Sequence, residues 1–278
     1  MQLPEFTALI FLGSLVAGFL GALTGLGGGV VIVPLLTMIF GVDIHYAIGA
    51  ALVSVIATSS GAAAAYVREG FSNIRVGMFL EIATTTGALG GAVLVLYLKV
   101  SAISIIFGVV LLYSAYGSMT AAPHDVRDPG PDRIGSWLRM NASYPEGNGF
   151  VSYHVHGVPL GFGVMFIAGV LSGLLGIGSG AVKVLAMDRA MKLPFKVSTT
   201  TSNFMIGVTA AAGAGIYLSR GYIDPGLAMP VMLGVLAGSL IGARVLASAR
   251  VRVLRIVFSA VVAALGVEMI YKGFTGRL

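Results

Sequence analysis

Of 278 residues, 57% are hydrophobic and only 10% are charged, and the mean hydropathy is +0.96. A water-facing globular surface cannot be built from that composition, so the chain reads as an integral membrane protein. Zero cysteines exclude disulfides, iron–sulfur clusters and thiol relays. The formal charge of +6 sits in short loops between apolar runs, where it acts as a topology signal and headgroup contact rather than a nucleic-acid surface.

Apolar runs long enough to cross a bilayer, which takes about 20 helical residues, recur at 6–24, 46–66, 77–98, 101–119, 158–176, 197–218, 226–247 and 253–271. Shorter runs occupy 30–40 and 181–191. Barrel strands would alternate polar and apolar residues over about ten positions, and these runs do not. The expected fold class is an all-α polytopic membrane protein with about eight full spans plus two short half-helices. The opening "MQLPEFTALIFLG" lacks a basic n-region and a small-residue cleavage site, so the first helix is expected to stay.

The first run ends in "GALTGLGGGVVIVPLL", from Gly21 to Leu36, and "SGLLGIGSGAVKVLAM", from Ser172 to Met187, follows 151 positions later. That offset aligns Ala17, Gly18, Leu20, Leu23, Gly25, Gly27 and Gly29 with Ala168, Gly169, Leu171, Leu174, Gly176, Gly178 and Gly180. Without a gap it then pairs Thr58 with Thr209, Tyr66 with Tyr217, Gly70 with Gly221, Gly87 with Gly238 and Gly91 with Gly242. One register held that far marks an internal repeat. The chain divides into a first transmembrane repeat, 1–120, a polar insert, 121–157, and a second repeat, 158–278.

The insert starts rich in proline and glycine, then alternates on both sides of "PEGNG", which predicts a small hairpin outside the membrane. His154 and His156 lack further clustered ligands, so no metal site is expected. Loop charges orient the halves. The stretch 40–46 has no Lys or Arg, while 187–196 has Arg189, Lys192 and Lys196; 67–76 has Arg68 and Arg75, while 218–224 has only Arg220. Around 98–101 there is Lys99 alone, against Arg244, Arg250, Arg252 and Arg255 in 244–255. By the positive-inside rule the insert is cytoplasmic, the C-terminus external and the repeats inverted.

Glycine weakens a helix, so clusters of it inside apolar runs need a reason. A dinucleotide loop fails, because Val30 stands where G-x-G-x-x-G requires glycine. Four-residue spacing, as in Gly169 with Gly173 and Gly87 with Gly91, serves helix packing. The denser clusters at Gly27, Gly28 and Gly29, and at Gly178, Ser179 and Gly180, read as helix breaks. Breaks at matching positions of inverted repeats point to a transporter's central site, with N–H groups suited to an anion.

Lys183 replaces Ile32 of the first half, deep in an apolar run. It either snorkels to the cytoplasmic interface or serves as counter-charge to an anion. Beyond it, "KVSTTTSNFMIG" puts Ser198, Thr199, Thr201, Ser202 and Asn203 on one helix, candidate ligands for an anion's oxygens. Interhelical hydrogen bonding is the competing reading. Thr58 and Ser59 of the first half are candidates for the opposite wall. Glu81 lies six residues past Arg75, some 9 Å along a helix, and is the candidate coupling carboxylate. Glu268 precedes Lys272 by four and reads as an interfacial ion pair.

The stretches "GALTGLGGGVVIVPLLTMIFGVDIHYAIGAALVSVIATSSGA" and "GLLGIGSGAVKVLAMDRAMKLPFKVSTTTSNFMIGVTAAAGAG" resemble the TauE/SafE family of sulfite exporters, also called TSUP transporters. The resemblance spans nearly the whole membrane portion but not the insert. It implies an inner-membrane permease for sulfur-containing anions such as sulfite, sulfoacetate or related sulfonates. It puts glycine breaks at Gly25, Gly27, Gly28 and Gly29 and at Gly176, Gly178 and Gly180, and a Thr-Ser-Asn element at Thr201, Ser202 and Asn203. Ser179 departs from the usual glycine, and Leu185 stands where the first half keeps Pro34.

The expected function is alternating-access transport of a sulfur-containing anion across the plasma membrane, with no cofactor. Its expected partners are the small anion, the bilayer, protons as coupling ion and a second copy of the chain in a homodimer, with no nucleic acid. An anion channel and a permease for a non-sulfur carboxylate are the alternatives. An intramembrane enzyme would need a nucleophile–base pair or a metal cluster, and the sequence displays neither. An inside-negative potential assists anion export by about 2.3 kcal/mol per charge per 100 mV, so import, not export, needs a coupling ion.

Overall fold

The computed structural model describes residues 3–24, 29–68, 70–120, 130, 132–146, 149–246 and 251–276. Five helical stations precede the insert: α1 (Leu3–Thr24), α2 (Gly29–Pro34), α3 (Ile44–Arg68), α4 (Ile74–Leu94) and α5 (Val100–Thr120). The insert carries a short helix, α6 (Arg133–Trp137), and a hairpin of β1 (Ala142–Glu146) and β2 (Gly149–Tyr153). Five stations follow it: α7 (Val158–Leu175), α8 (Gly180–Leu185), α9 (Phe195–Ser219), α10 (Pro225–Leu246) and α11 (Val251–Thr275). The helical expectation thus holds across the described residues, the hairpin aside.

The sequence offset recurs in the backbone, since α8 starts 151 residues after α2 and α9 starts 151 after α3 (180 − 29 and 195 − 44). Both α2 and α8 continue into π-helical turns, Leu35–Ile39 and Ala186–Ala190. Pro34 precedes the first turn, but Leu185 precedes the second, so proline does not cause the widened turn. Both turns close alike, with Val42 N–H donating to Leu36 O at 3.0 Å and Leu193 N–H to Met187 O at 2.9 Å. Gly41 sits there at φ 64°, and Lys192, its counterpart, holds φ 55°, a conformation that costs a side chain and suits glycine.

Four described helical stretches have the length and apolarity of a full crossing: 74–94, 100–117, 158–175 and 225–242. The expectation of about eight full spans is corrected on this count. The described apolar stretches 5–20 and 44–60 are shorter, and α9 carries the polar run Ser198–Asn203 through its first half. The stretch 29–39 is short as expected, about 16 Å at helical rise, roughly half the hydrocarbon thickness.

The helices pack chiefly as α1 on α10, α4 on α7, α5 on α11 and α3 on α9. Under the 151-residue offset, α1 with α10 and α7 with α4 are the same pairing with the halves exchanged. Glycine makes these crossings close: a Cβ on Gly91 would stand 2.1 Å from Val170 O, and one on Gly173 would stand 2.0 Å from Ala88 O. The four-residue glycine spacing therefore does serve backbone-to-backbone packing.

Two apolar cores result. One gathers Val30 to Leu36 with Ile44 to Val55 and residues of α5, α10 and α11. The other joins Val76, Leu80 and Ala83 of α4 to Met165, Met187, Met191 and Met205, and to Met140, Tyr144 and Tyr153 of the insert. The expected hairpin is present, pairing Ala142 with Tyr153 through Glu146 with Gly149, and it is packed into this second core.

Candidate functional site

The second glycine cluster is a helix break. Helix α7 ends at Leu175, Gly176 and Gly178 take φ of 70° and 67°, Ser179 takes 44°, and α8 starts at Gly180. Ser179 stabilises its strained backbone by donating to Ala168 O at 2.6 Å. Residues 25–28, with Gly27 and Gly28, lie outside the described residues. Gly29, which opens α2, meets the second break directly: a Cβ there would stand 3.0 Å from Gly176 O and 2.8 Å from Val55 Cγ2. The start of α2 therefore touches the second break. Ile206 of α9 closes over the second one, 2.7 Å from where a Gly180 Cβ would be and 2.8 Å from a Gly178 Cβ.

The hydroxyl run faces more than one neighbour. Successive helical positions turn by about 100°, and the run is shared among several neighbours. Thr201 accepts from Asn73 N–H at 2.9 Å on the α4 side, whereas Ser202 donates to Gly180 O at 3.3 Å on the α8 side. Ser198 donates to Leu193 O at 3.5 Å and Thr199 to Phe195 O at 2.9 Å. Asn203 is half-buried and makes no side-chain hydrogen bond among the described residues. Thr58 and Ser59 donate to carbonyls of their own helix, Thr58 to Ser54 O at 3.0 Å and Ser59 to Ile56 O at 3.2 Å. Ser59 packs against Gly207, one turn beyond Asn203.

Lys183 does not snorkel. It is fully buried, 0% exposed, and donates from Nζ to Thr209 Oγ1 at 2.5 Å. Thr209 Oγ1 also lies 2.6 Å from Glu81 Oε1 and 2.9 Å from Met205 O. Glu81, 9% exposed, accepts a further bond from Thr85 Oγ1 at 3.1 Å, while its Oε2 is buried without a hydrogen-bond partner. Lys183 and Glu81, read separately from the sequence, are thus two ends of one buried polar chain running from α8 through α9 to α4. The link, Thr209, went unread as a site residue. Its signal was a lone hydroxyl in the apolar stretch 204–216, paired with Thr58 by the repeat.

Parallel packing builds this chain. Helices α4 and α9 run side by side, so that Asn73 meets Thr201 and Glu81 meets Thr209, each pair 128 residues apart. Between them runs a groove of about 440 Å³ lined by Met78, Glu81, Ile82, Thr85, Thr86, Phe204 and Val208. Met78, Ile82 and Val208 are exposed apolar residues, so the groove opens on an apolar outer flank of the helix pair.

At the mouth of this helix pair the insert is pinned by Asn73, another residue the sequence did not single out. Its Oδ1 accepts from Val76 N–H at 3.1 Å and caps α4, while its Nδ2 donates to Met140 O and to Tyr153 Oη, both at 2.8 Å. Arg75 Nη1 adds a bond to Arg139 O at 3.1 Å. Burial pushes the Tyr153 hydroxyl up to about 12, against a smaller opposing effect of the Asn73 hydrogen bond. Elsewhere, Glu268 pairs with Lys272 at 3.5 Å, as the spacing indicated.

The family model for the sulfite exporter TauE/SafE matches residues 10–269. The chain is 28% identical over 276 residues to the "Probable membrane transporter protein YunE" of Bacillus subtilis (strain 168), covering 97% of this chain and 98% of that protein. It is 27% identical to the "Probable membrane transporter protein YdhB" of the same organism, covering 85% and 87%. It is also 23% identical to the "Probable membrane transporter protein MJ0441" of Methanocaldococcus jannaschii, covering 94% of each. No solved structure matches the chain. An apolar helical chain matched over nearly its full length by this model, and by membrane transporters end to end, belongs to the sulfite exporter TauE/SafE family of membrane transporters.

Proposed function

We propose that the protein is a secondary transporter of a small sulfur-containing anion, sulfite or an organosulfonate, working in the plasma membrane by alternating access between two inverted repeats, 1–120 and 158–278. The observation that carries this reading is Lys183, an ammonium with no exposed surface, three residues into the helix that restarts after the second break. Among the described residues it makes one hydrogen bond, to Thr209, which leaves two of its three donors for a ligand. A buried cation left so incompletely satisfied is costly unless an anion completes it.

The proposed anion sits against Lys183, beside Gly178 to Gly180 and Ser202, with Asn203 contributing its uncommitted amide after a small shift of α9. Gly29, Val55 and Ile206 close over the second break, which fits an occluded arrangement that opens when one repeat moves against the other. Recurrence of elements at one offset supports two repeats, and the loop charges support their inversion, with the insert cytoplasmic.

The substrate class is tested by melting purified protein with sulfite, methanesulfonate, sulfoacetate, acetate and nitrate. A ligand that binds the folded state raises the melting temperature in proportion to occupancy. Stabilisation by the sulfur anions in wild type, lost in Lys183→Met, supports the reading. Stabilisation only by acetate or nitrate removes sulfur from it.

A further inference from the structure

The Thr209 hydroxyl has one hydrogen and two lone pairs, yet it has three partners: Lys183 Nζ, Glu81 Oε1 and Met205 O. Lys183 can only donate. Two arrangements satisfy the rest without moving a heavy atom. With Glu81 ionised, Thr209 donates to Oε1. With Glu81 protonated on Oε1, the carboxyl donates to Thr209, which turns its own hydrogen to Met205 O. The site is built for both proton states of Glu81.

The same site is incomplete in its charge. Among the described residues, Glu81 Oε2 is buried without a hydrogen-bond partner, and Lys183, fully buried, makes one hydrogen bond, to Thr209. Helix α7 (158–175) offers no titratable side chain to Glu81, and neither does α9 between 197 and 216. Lys183 is therefore the charge that faces the Glu81 carboxyl through Thr209, and an anion arriving on Lys183 competes with Glu81 for it.

We infer that Glu81 is a resident stand-in for the transported anion: an anion that docks on Lys183 displaces Glu81 from its counter-charge, Glu81 takes a proton from the aqueous phase, and Thr209 turns from Glu81 to Met205 O. One anion and one proton then move together, so a monoanion is carried without net charge. Nothing is oxidised, and the only bond made is O–H on Glu81, broken again on release. This rests on the reading of Lys183 as the anion's counter-charge, but not on the anion's containing sulfur.

The first test is proton uptake on anion binding, measured in weakly buffered detergent solution. Methanesulfonate is the probe, because its own charge is constant near neutral pH; nitrate and acetate serve as non-sulfur anions. Wild type should take up about one proton per anion bound, with affinity rising about tenfold per unit fall in pH, as one-proton linkage requires. At the acid end of the range, where Lys183 keeps its charge without Glu81, Glu81→Gln should bind the anion with no proton uptake and no pH dependence, while Thr209→Ser should behave as wild type. Binding without proton uptake in wild type, or unchanged uptake in Glu81→Gln, overturns the inference. Binding of nitrate or acetate but not methanesulfonate defeats the sulfur assignment alone, and the proton count on the bound anion still decides the inference.

A ligand-free arm covers the case in which no probe binds. In Lys183→Met the unpaired Glu81 should be protonated at neutral pH and give the infrared carbonyl band of a buried carboxylic acid, absent from wild type and from the Lys183→Met, Glu81→Gln double variant. No such band in Lys183→Met overturns the inference.

Discussion

Replacing Asn73 with alanine removes three buried hydrogen bonds at once: the cap on Val76 N–H and the bonds to Met140 O and Tyr153 Oη. Loss of a helix cap costs about 1 kcal/mol, and each lost buried hydrogen bond costs about 1 kcal/mol or more where its partner stays dry. The sum is about 3 kcal/mol, which for a chain of this size lowers the melting temperature by roughly 5–10 °C. The backbone bond from Asn73 N–H to Thr201 does not involve the side chain and should survive. Asn73→Asp separates the contributions, since it keeps the capping oxygen but sets a carboxylate against Met140 O. It should stabilise α4 yet release the insert. The assay pairs thermal unfolding in detergent with the rate of tryptic cleavage after Arg139, whose carbonyl Arg75 holds. Faster cleavage and a lower melting temperature are expected in Asn73→Ala. An Asn73→Ala protein that melts and is cleaved like wild type would refute the assignment of Asn73 as the pin of the insert.

High pH should release the same pin. The Tyr153 hydroxyl titrates near 12 when folded and near 10.0 when unfolded, so its contribution is fully present below about pH 10 and is lost as pH rises toward 12. Tryptic cleavage of the insert should accelerate over that window in wild type, and Tyr153→Phe should flatten the response. Neighbouring glycines give a packing test with its own control: Gly91→Ala meets Val170 O at 2.1 Å, while Gly90→Ala meets nothing within 4 Å. Gly91→Ala should destabilise the α4–α7 pair by more than about 2 kcal/mol, while Gly90→Ala should be neutral or stabilise by up to about 1 kcal/mol through helix propensity; equal melting temperatures would count against the crossing. With one proton moving per monoanion, uptake of methanesulfonate should ignore an imposed membrane potential in wild type and respond to it in Glu81→Gln.

Much of this architecture was legible one residue at a time. The offset that pairs Gly176 and Gly178 with Gly25 and Gly27 anticipated a break at Gly176–Ser179, because the left-handed positions there, Gly176, Gly178 and Ser179, need small side chains. Lys183 and Glu81 stood out because charge is expensive in an apolar run. Alternation about "PEGNG" gave the hairpin. What the sequence did not display was which polar groups meet. Thr209 joins Glu81 across 128 residues, and Asn73 reaches the insert and Thr201 from one position. Such contacts depend on α4 lying parallel to α9, which no periodicity within one segment encodes. The hydroxyl run shows the same limit. Its residues lie close in sequence, but helical rotation hands Thr201 to α4 and Ser202 to α8.

The two cores differ in composition. Met140, Met165, Met187, Met191 and Met205 meet where the insert, α7, α8 and α9 join. Methionine is unbranched and repacks at low cost, so this contact suits a surface that slides. The first core, built mainly of Ile, Leu, Val and Ala, suits a fixed frame.

Counterflow in proteoliposomes tests the central claim most directly. Vesicles are loaded with unlabelled sulfite or methanesulfonate and given a trace of the labelled anion outside, with wild type compared against Lys183→Met of matching melting behaviour. The account predicts transient accumulation of label in wild type and none in the variant. Accumulation that persists in Lys183→Met, or wild-type vesicles that accumulate neither sulfur anion, would contradict it.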